Sequence, residues 1–116
     1  MKRLTNNDPP QSMDALTRDE VNKMTGPVVL EFGASWCGYC RAVQPTVDEL
    51  RSQYPAIRYF WIEDGPGLPL GRSFRVKLWP SFMFLEDGKL IHRAVRPSDK
   101  DLVQSFAELA KSSGNQ

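Results

Sequence analysis

Phe32-Gly33-Ala34-Ser35-Trp36-Cys37-Gly38-Tyr39-Cys40-Arg41 decides how this chain is read. Two cysteines three residues apart fall on one face of the first turn of a helix, close enough to close a small disulfide ring or relay a disulfide from a partner. They are the only cysteines present. Before them runs an apolar, strand-like segment, Pro27-Val28-Val29-Leu30-Glu31-Phe32, and after them a helical pattern. The pair therefore sits at a strand-to-helix turn with Cys37 at the helix N-terminus. Free N–H groups and the helix dipole favour negative charge there, which lowers a cysteine pKa and makes the sulfur nucleophilic near neutral pH.

The same spacing serves half of a zinc site, a cluster site or an ordinary disulfide. Structural zinc wants four thiolate or imidazole ligands, and the chain offers two cysteines and the lone His92, remote in sequence on what reads as a strand. No single-chain metal site is expected, and His92 reads as a surface strand residue. A metal or cluster shared across a dimer is left open by this count. The 116 residues approach the commonest domain size and allow an apolar core without disulfides. A net charge of +1 gives no bulk attraction for nucleic acid or a membrane surface. No apolar run is long enough to span a bilayer, and the N-terminus turns polar by Thr5-Asn6-Asn7-Asp8, where a signal peptide needs its hydrophobic stretch. A cytoplasmic location is expected, and a reducing compartment favours a reactive or regulatory pair over a structural disulfide.

Residues 1–12 are polar with Pro9-Pro10 and are expected to form a flexible segment before a single domain over 13–111, with 112–116 a flexible tail. Thr17-Arg18-Asp19-Glu20 fits a capping box that starts a short helix through about Met24. The strand through Phe32, apolar on both faces, suits a central, mostly parallel position. Ala42, Val43, Val47, Leu50 and Tyr54 recur at helical spacing, with Pro45 inside the run. Ile57 to Glu63 reads as a strand, Asp64 to Pro69 as a loop, and Leu70 and Phe74 as part of a brief helix. Ser81 to Leu85 and Leu90 to Val95, joined through Asp87-Gly88, form a β-hairpin. Ser98 caps a last helix with an apolar stripe of Leu102, Val103, Phe106, Leu109 and Ala110. The order predicts an α/β fold, a three-layer sandwich on a mixed central sheet flanked by helices.

With these residues in place the chain resembles the thioredoxin family over about residues 13–111. The resemblance rests on the strand Val28 to Phe32, Trp36-Cys37-Gly38-Tyr39-Cys40, Pro45, Trp79-Pro80 forty residues after Cys40, and Asp87-Gly88. It implies a thioredoxin-like fold and a protein-disulfide oxidoreductase that needs no bound cofactor. Cys37 would be the exposed attacking thiolate, Cys40 the resolving thiol and Gly38 the small residue that admits a substrate backbone. Pro80 would be cis, with the Trp79 backbone offering hydrogen bonds to an extended substrate. Glu31 would exchange a proton with Cys40 through water, its pKa raised by burial; a glutamate that simply reaches solvent is the alternative.

Departures from the family bear on specificity. The basic partner that thioredoxins carry on the neighbouring strand is missing from Phe60-Trp61-Ile62, Gly33 stands where they have Trp, and Arg96-Pro97 stands where they have Gly. Trp36, Tyr39 and Trp79 join Gly38 and Pro80 as candidate substrate-binding residues, with packing as the alternative for the two tryptophans. Arg41, Arg72, Arg75, Lys77, Arg93 and Arg96 either ring the site or form a solvated surface. The resemblance further implies protein disulfide substrates, a thioredoxin reductase or glutathione as electron donor, and a monomer without nucleic-acid or membrane partners. A disulfide isomerase or oxidant, and a binding module with a redox-switch pair, are the competing functions.

Overall fold

The computed structural model describes residues 16–113, so the expectations for residues 1–12 and most of the tail lie outside the described residues. Four strands form one sheet in the order β2-β1-β3-β4: β1 (Pro27–Gly33), β2 (Arg58–Glu63), β3 (Ser81–Glu86) and β4 (Lys89–Val95). β1 runs parallel to β2 and antiparallel to β3, and β3 runs antiparallel to β4. The central position of β1 matches its two-sided apolar sequence. Its neighbours are not mostly parallel, because the second one arrives through a hairpin strand.

Alternation along the strands builds two cores. Val29 on β1 and Phe82 and Phe84 on β3 face α2 (Gly38–Gln53) and α4 (Asp99–Ser112), where they meet Val43, Val47, Leu50, Leu102, Phe106 and Leu109. Val28, Leu30 and Phe32, with Met83 and Leu85, face the other way toward α1 (Arg18–Asn22) and α3 (Pro69–Ser73) through Val21, Leu70 and Phe74. This period-two partition produces the three layers and leaves β1 buried on both faces.

Local signals set the ends of the elements. The Thr17 hydroxyl accepts from Glu20 N at 3.1 Å while Glu20 Oε1 accepts from Thr17 N at 2.9 Å, the reciprocal capping box. α1 nevertheless stops at Asn22, short of Met24. α2 continues through Pro45, whose side is exposed. Ala42 is also exposed, so the buried stripe of α2 is Cys40, Val43, Val47 and Leu50. On α4 the buried set is Leu102, Ser105, Phe106 and Leu109, and Val103 is left 49% exposed. Residues at i, i+3, i+4 and i+7 share a face, and Val103 lies one residue off it.

The β3–β4 turn depends on Asp87 and Gly88, with φ of 51° and 79°. Two successive positive φ values give the tight turn whose twist suits a hairpin. Asp87 Oδ1 accepts from Gly26 N at 2.8 Å, tying the turn to the start of β1. A Cβ on Gly88 would lie 2.0 Å from the Asn22 carbonyl oxygen, a backbone atom with nowhere to retreat. Gly88→Ala is therefore expected to destabilise the protein by roughly 2 kcal/mol or more, read from urea unfolding. An unchanged midpoint would contradict this account of the turn.

Candidate active site

The strand-to-helix turn puts Cys37 at the N-cap of α2, where its Sγ accepts a hydrogen bond from Cys40 N at 3.3 Å. Both cysteines are free thiols. Area alone scarcely separates them, since Cys37 is 6% exposed and Cys40 2%. The expected exposure of Cys37 is thus corrected: Trp79 and Trp61 pack against the cluster formed by Ala34, Cys37 and Cys40. Depth is what distinguishes the thiols, because Cys37 lies just beneath the surface and Cys40 further in.

The consequence is opposite acidities. Burial pushes the Cys37 thiol up, but the Cys40 thiol, the N–H groups of Cys40 and Tyr39 and the Arg96 charge together draw it below the ordinary cysteine value. Burial, the hydrogen bond with Cys37 and the nearby negative charges of Cys37 and Glu31 raise Cys40 to about 12. At neutral pH the turn therefore presents one acidic thiol backed by one that keeps its proton.

Glu31 lies at the centre of β1, fully buried, on the α2 side of the sheet. The Tyr59 hydroxyl donates to its Oε1 in a short hydrogen bond, and Gln44 Nε2 donates to Oε1 and Oε2 at 3.3 and 3.2 Å. Burial raises the carboxyl to about 7; the Tyr59 and Gln44 bonds and the Arg51 charge limit the rise, and Asp48 adds to it. Two features were missed in the sequence. The missing strand lysine has a counterpart in Arg51 of α2, whose guanidinium lies 4.5 Å from the centre of the Tyr59 ring. Gln44 shares a helix face with Cys40 and Tyr59 a strand face with Trp61, but only the packing of α2 and β2 on β1 brings them to Glu31.

Gly33 and Trp61 explain each other. Trp61 is the β2 residue paired with Glu31, and a Cβ on Gly33 would lie 2.8 Å from its ring and 2.6 Å from Cys40 Sγ. An aromatic from β2 thus fills the space beside Cys40, and the glycine makes room for it. Beside this ring, a recess of about 340 Å³ lined by Ala34, Ser35, Cys40, Arg41, Gln44 and Trp61 brings solvent toward Cys40 and Gln44.

Around the mouth, the Trp79–Pro80 peptide is cis. Trp79 Nε1 donates to Asp64 Oδ2 at 2.9 Å, and the Trp36 and Trp79 rings meet edge to face at 5.3 Å between centroids. Trp36 is 71% exposed and Tyr39 61%, so Trp36 packs on Trp79 by one edge and leaves most of its surface open. Gly38 is also exposed, with open space where a Cβ would stand. The Trp79 carbonyl accepts from Arg96 Nε at 2.7 Å, which occupies one of its two lone pairs. Of the basic residues considered, Arg96 reaches Cys37 electrostatically and Arg41 lines the recess, while Arg72 and Lys77 border a separate cleft near Asp64. His92 lies exposed on β4 with its ring against Phe84.

A carboxyl near 7 when folded and 4.5 when free holds its proton longer in the native state. Its contribution to stability is complete below about pH 4.5 and is lost as pH rises through about 7, an effect of about 3 kcal/mol. Glu31→Gln is expected to flatten urea-unfolding stability between about pH 5 and 8 and to exceed the native protein at the upper end. The same slope in both proteins would place the Glu31 proton elsewhere.

A sequence model of the Thioredoxin family matches residues 11–108. The solved structure of thioredoxin 2 from Pseudomonas aeruginosa PAO1 in its reduced form is 44% identical, covers 96% of this chain and 97% of its own, and superposes with a TM-score of 0.73. Thioredoxin Asp f 28 from Aspergillus fumigatus is 32% identical over 88 residues, 76% of this chain and 79% of that protein. An H-type thioredoxin from Fagopyrum esculentum is 31% identical over 80 residues, 69% of each. A dithiol turn on this fold, matched by such relatives over most of its length, has one reading: the chain belongs to the thioredoxin family and is a thiol–disulfide oxidoreductase acting through its Cys-x-x-Cys pair.

Proposed function

We propose that Cys37 is the attacking thiolate and Cys40 the resolving thiol, with protein disulfides as substrates. Cys37 Sγ attacks one sulfur of the partner's disulfide, and the other partner sulfur leaves with the electron pair and takes a proton. Cys40 then gives up its proton, attacks Cys37 Sγ, and releases the second partner sulfur as a thiol. The partner gains two electrons and the pair becomes a disulfide. Glu31 accepts the Cys40 proton, with solvent in the recess beside Gln44 as the carrier. Trp36, Gly38, Tyr39, Trp79 and Pro80 form the surface that receives the partner segment. A thioredoxin reductase or glutathione returns the electrons, and the chain acts as a monomer in a reducing compartment, the cytoplasm. No described helix is long and apolar enough to cross a membrane.

The observation that carries the assignment is the place of Cys37 at the N-cap of α2, its Sγ accepting from Cys40 N at 3.3 Å, an arrangement that favours the thiolate at Cys37 over Cys40. Alkylation at pH 7 with peptide mapping is the test, together with Cys40→Ser, which can attack but cannot release. Cys37 is expected to label well ahead of Cys40, and Cys40→Ser to accumulate mixed disulfides through Cys37. Preferential labelling of Cys40, or mixed disulfides that survive Cys37→Ser, would reverse the roles.

The competing oxidant or isomerase function is favoured by one detail: the Tyr39 N–H is among the groups that lower the Cys37 pKa. A proline at this position has no such donor. A stabilised thiolate favours the reduced pair, so the reduction potential of the native chain is expected to exceed that of Tyr39→Pro by tens of millivolts, about 30 mV corresponding to roughly 1.4 kcal/mol. Equilibration with glutathione reads it. Tyr39→Phe keeps donor and ring and is expected to match the native value; a native potential at or below that of Tyr39→Pro contradicts the role of the donor.

A further inference from the structure

Arg96 follows β4 and is tied to the site at several points. Its N–H donates to the Pro80 carbonyl at 2.9 Å, its Nε donates to the Trp79 carbonyl at 2.7 Å, and its guanidinium carbon lies 4.2 Å from the centre of the Tyr39 ring. Its φ is 48°, in the left-handed region where a residue other than glycine is strained. A glycine would hold this backbone at lower cost, so arginine carries a local penalty at this position. Among the described residues no carboxylate pairs with it. Asp99 lines the same groove of about 300 Å³, with Tyr39, Ala42, Val43 and Pro80, without forming an ion pair with Arg96. The result is an exposed cation without an ion-pair partner among the described residues, held at the Trp79 and Pro80 carbonyls and over the Tyr39 ring, with its charge felt at Cys37.

We propose that Arg96 determines substrate specificity: by engaging the Trp79 carbonyl it withholds one backbone acceptor from an incoming strand, and it offers its charge to an acidic side chain beside the partner's disulfide. This rests on Cys37 being the attacking thiolate. A partner segment laid along Pro80 has the groove on one side and Arg96 at its edge. With the carbonyl occupied, less of its recognition comes from sequence-blind main-chain pairing and more from charge. A carboxylate near the attacked cysteine is drawn toward the guanidinium, and an ammonium there is repelled. Arg96 also contributes to the lowered Cys37 pKa, so the same charge that selects the partner favours the attacking form.

The test uses two peptides that differ only in Glu or Lys next to a single cysteine, that cysteine carried as a disulfide with thiopyridine. Attack by Cys37 on the peptide sulfur forms the mixed disulfide and expels thiopyridone with the electron pair, giving an optical readout common to both peptides. The reduced native protein at low ionic strength is expected to react about fivefold faster with the Glu peptide, the ratio shrinking as salt is raised. Arg96→Gln is expected to bring the ratio to about one and to raise the Cys37 pKa, read from thiolate absorbance against pH. Arg96→Lys retains the charge and is expected to retain the preference. Arg96→Gly removes the backbone strain, so it folds and is expected to repeat the loss. Equal rates for both peptides with the native protein, or a Glu preference that survives in Arg96→Gln and Arg96→Gly, would overturn the role of Arg96 while leaving the exchange chemistry intact. A native protein that expels thiopyridone from neither peptide would overturn the assignment of Cys37 and the inference with it.

Discussion

A carboxylate held at the centre of the sheet is the constraint around which this site is arranged. Glu31 occupies a position where every neighbour in β1 is apolar, and an isolated charge there would be very costly. The protein meets that cost with a hydroxyl from β2 and an amide from α2, placed on the carboxylate from two directions. Those donors hold its ionisation near neutrality, where a proton can be taken or given with little driving force in either direction. At the surface the group would ionise at a lower pH, and without its donors it would hold its proton to a higher one.

The cysteine pair uses the same contrast between shallow and deep. One turn of helix carries the chain from a sulfur just below the surface to a sulfur beside the β2 aromatic, so two chemically identical thiols diverge in acidity. Trp61 and Gly33 contribute by packing. The ring lies against the glycine and shields Cys40, and any side chain at residue 33 would collide with both. The contact between Gly33 and Trp61 thereby contributes to the burial that raises the pKa of the inner thiol.

Much of this was legible in the sequence because periodicity and turn chemistry determine it. The two-sided apolar run of β1, the capping box at Thr17, the Asp87-Gly88 turn and the dithiol at a helix start are local patterns, and local patterns survive in the fold. What was not legible depends on contacts between residues far apart. Tyr59 and Gln44 are ordinary residues until β2 and α2 bring them to Glu31, and the Arg51 charge reaches Glu31 only once α2 packs on the sheet. Val103 satisfied the apolar pattern of its helix and still lies outside, because one residue is 100° of rotation. Cys37 was expected to be open to solvent, and the two tryptophans that cover its cluster come from residues 61 and 79.

The claim that joins these observations is that the buried carboxyl accepts the proton of the inner thiol during release of the partner. Single-turnover release of a preformed Cys37 mixed disulfide, followed against pH in the native protein and in Glu31→Gln, tests it most directly. The account predicts a native rate that rises through a break near pH 7, where Glu31 becomes a base, and a Glu31→Gln protein that is slower and lacks that break. The same profile in both proteins would contradict it.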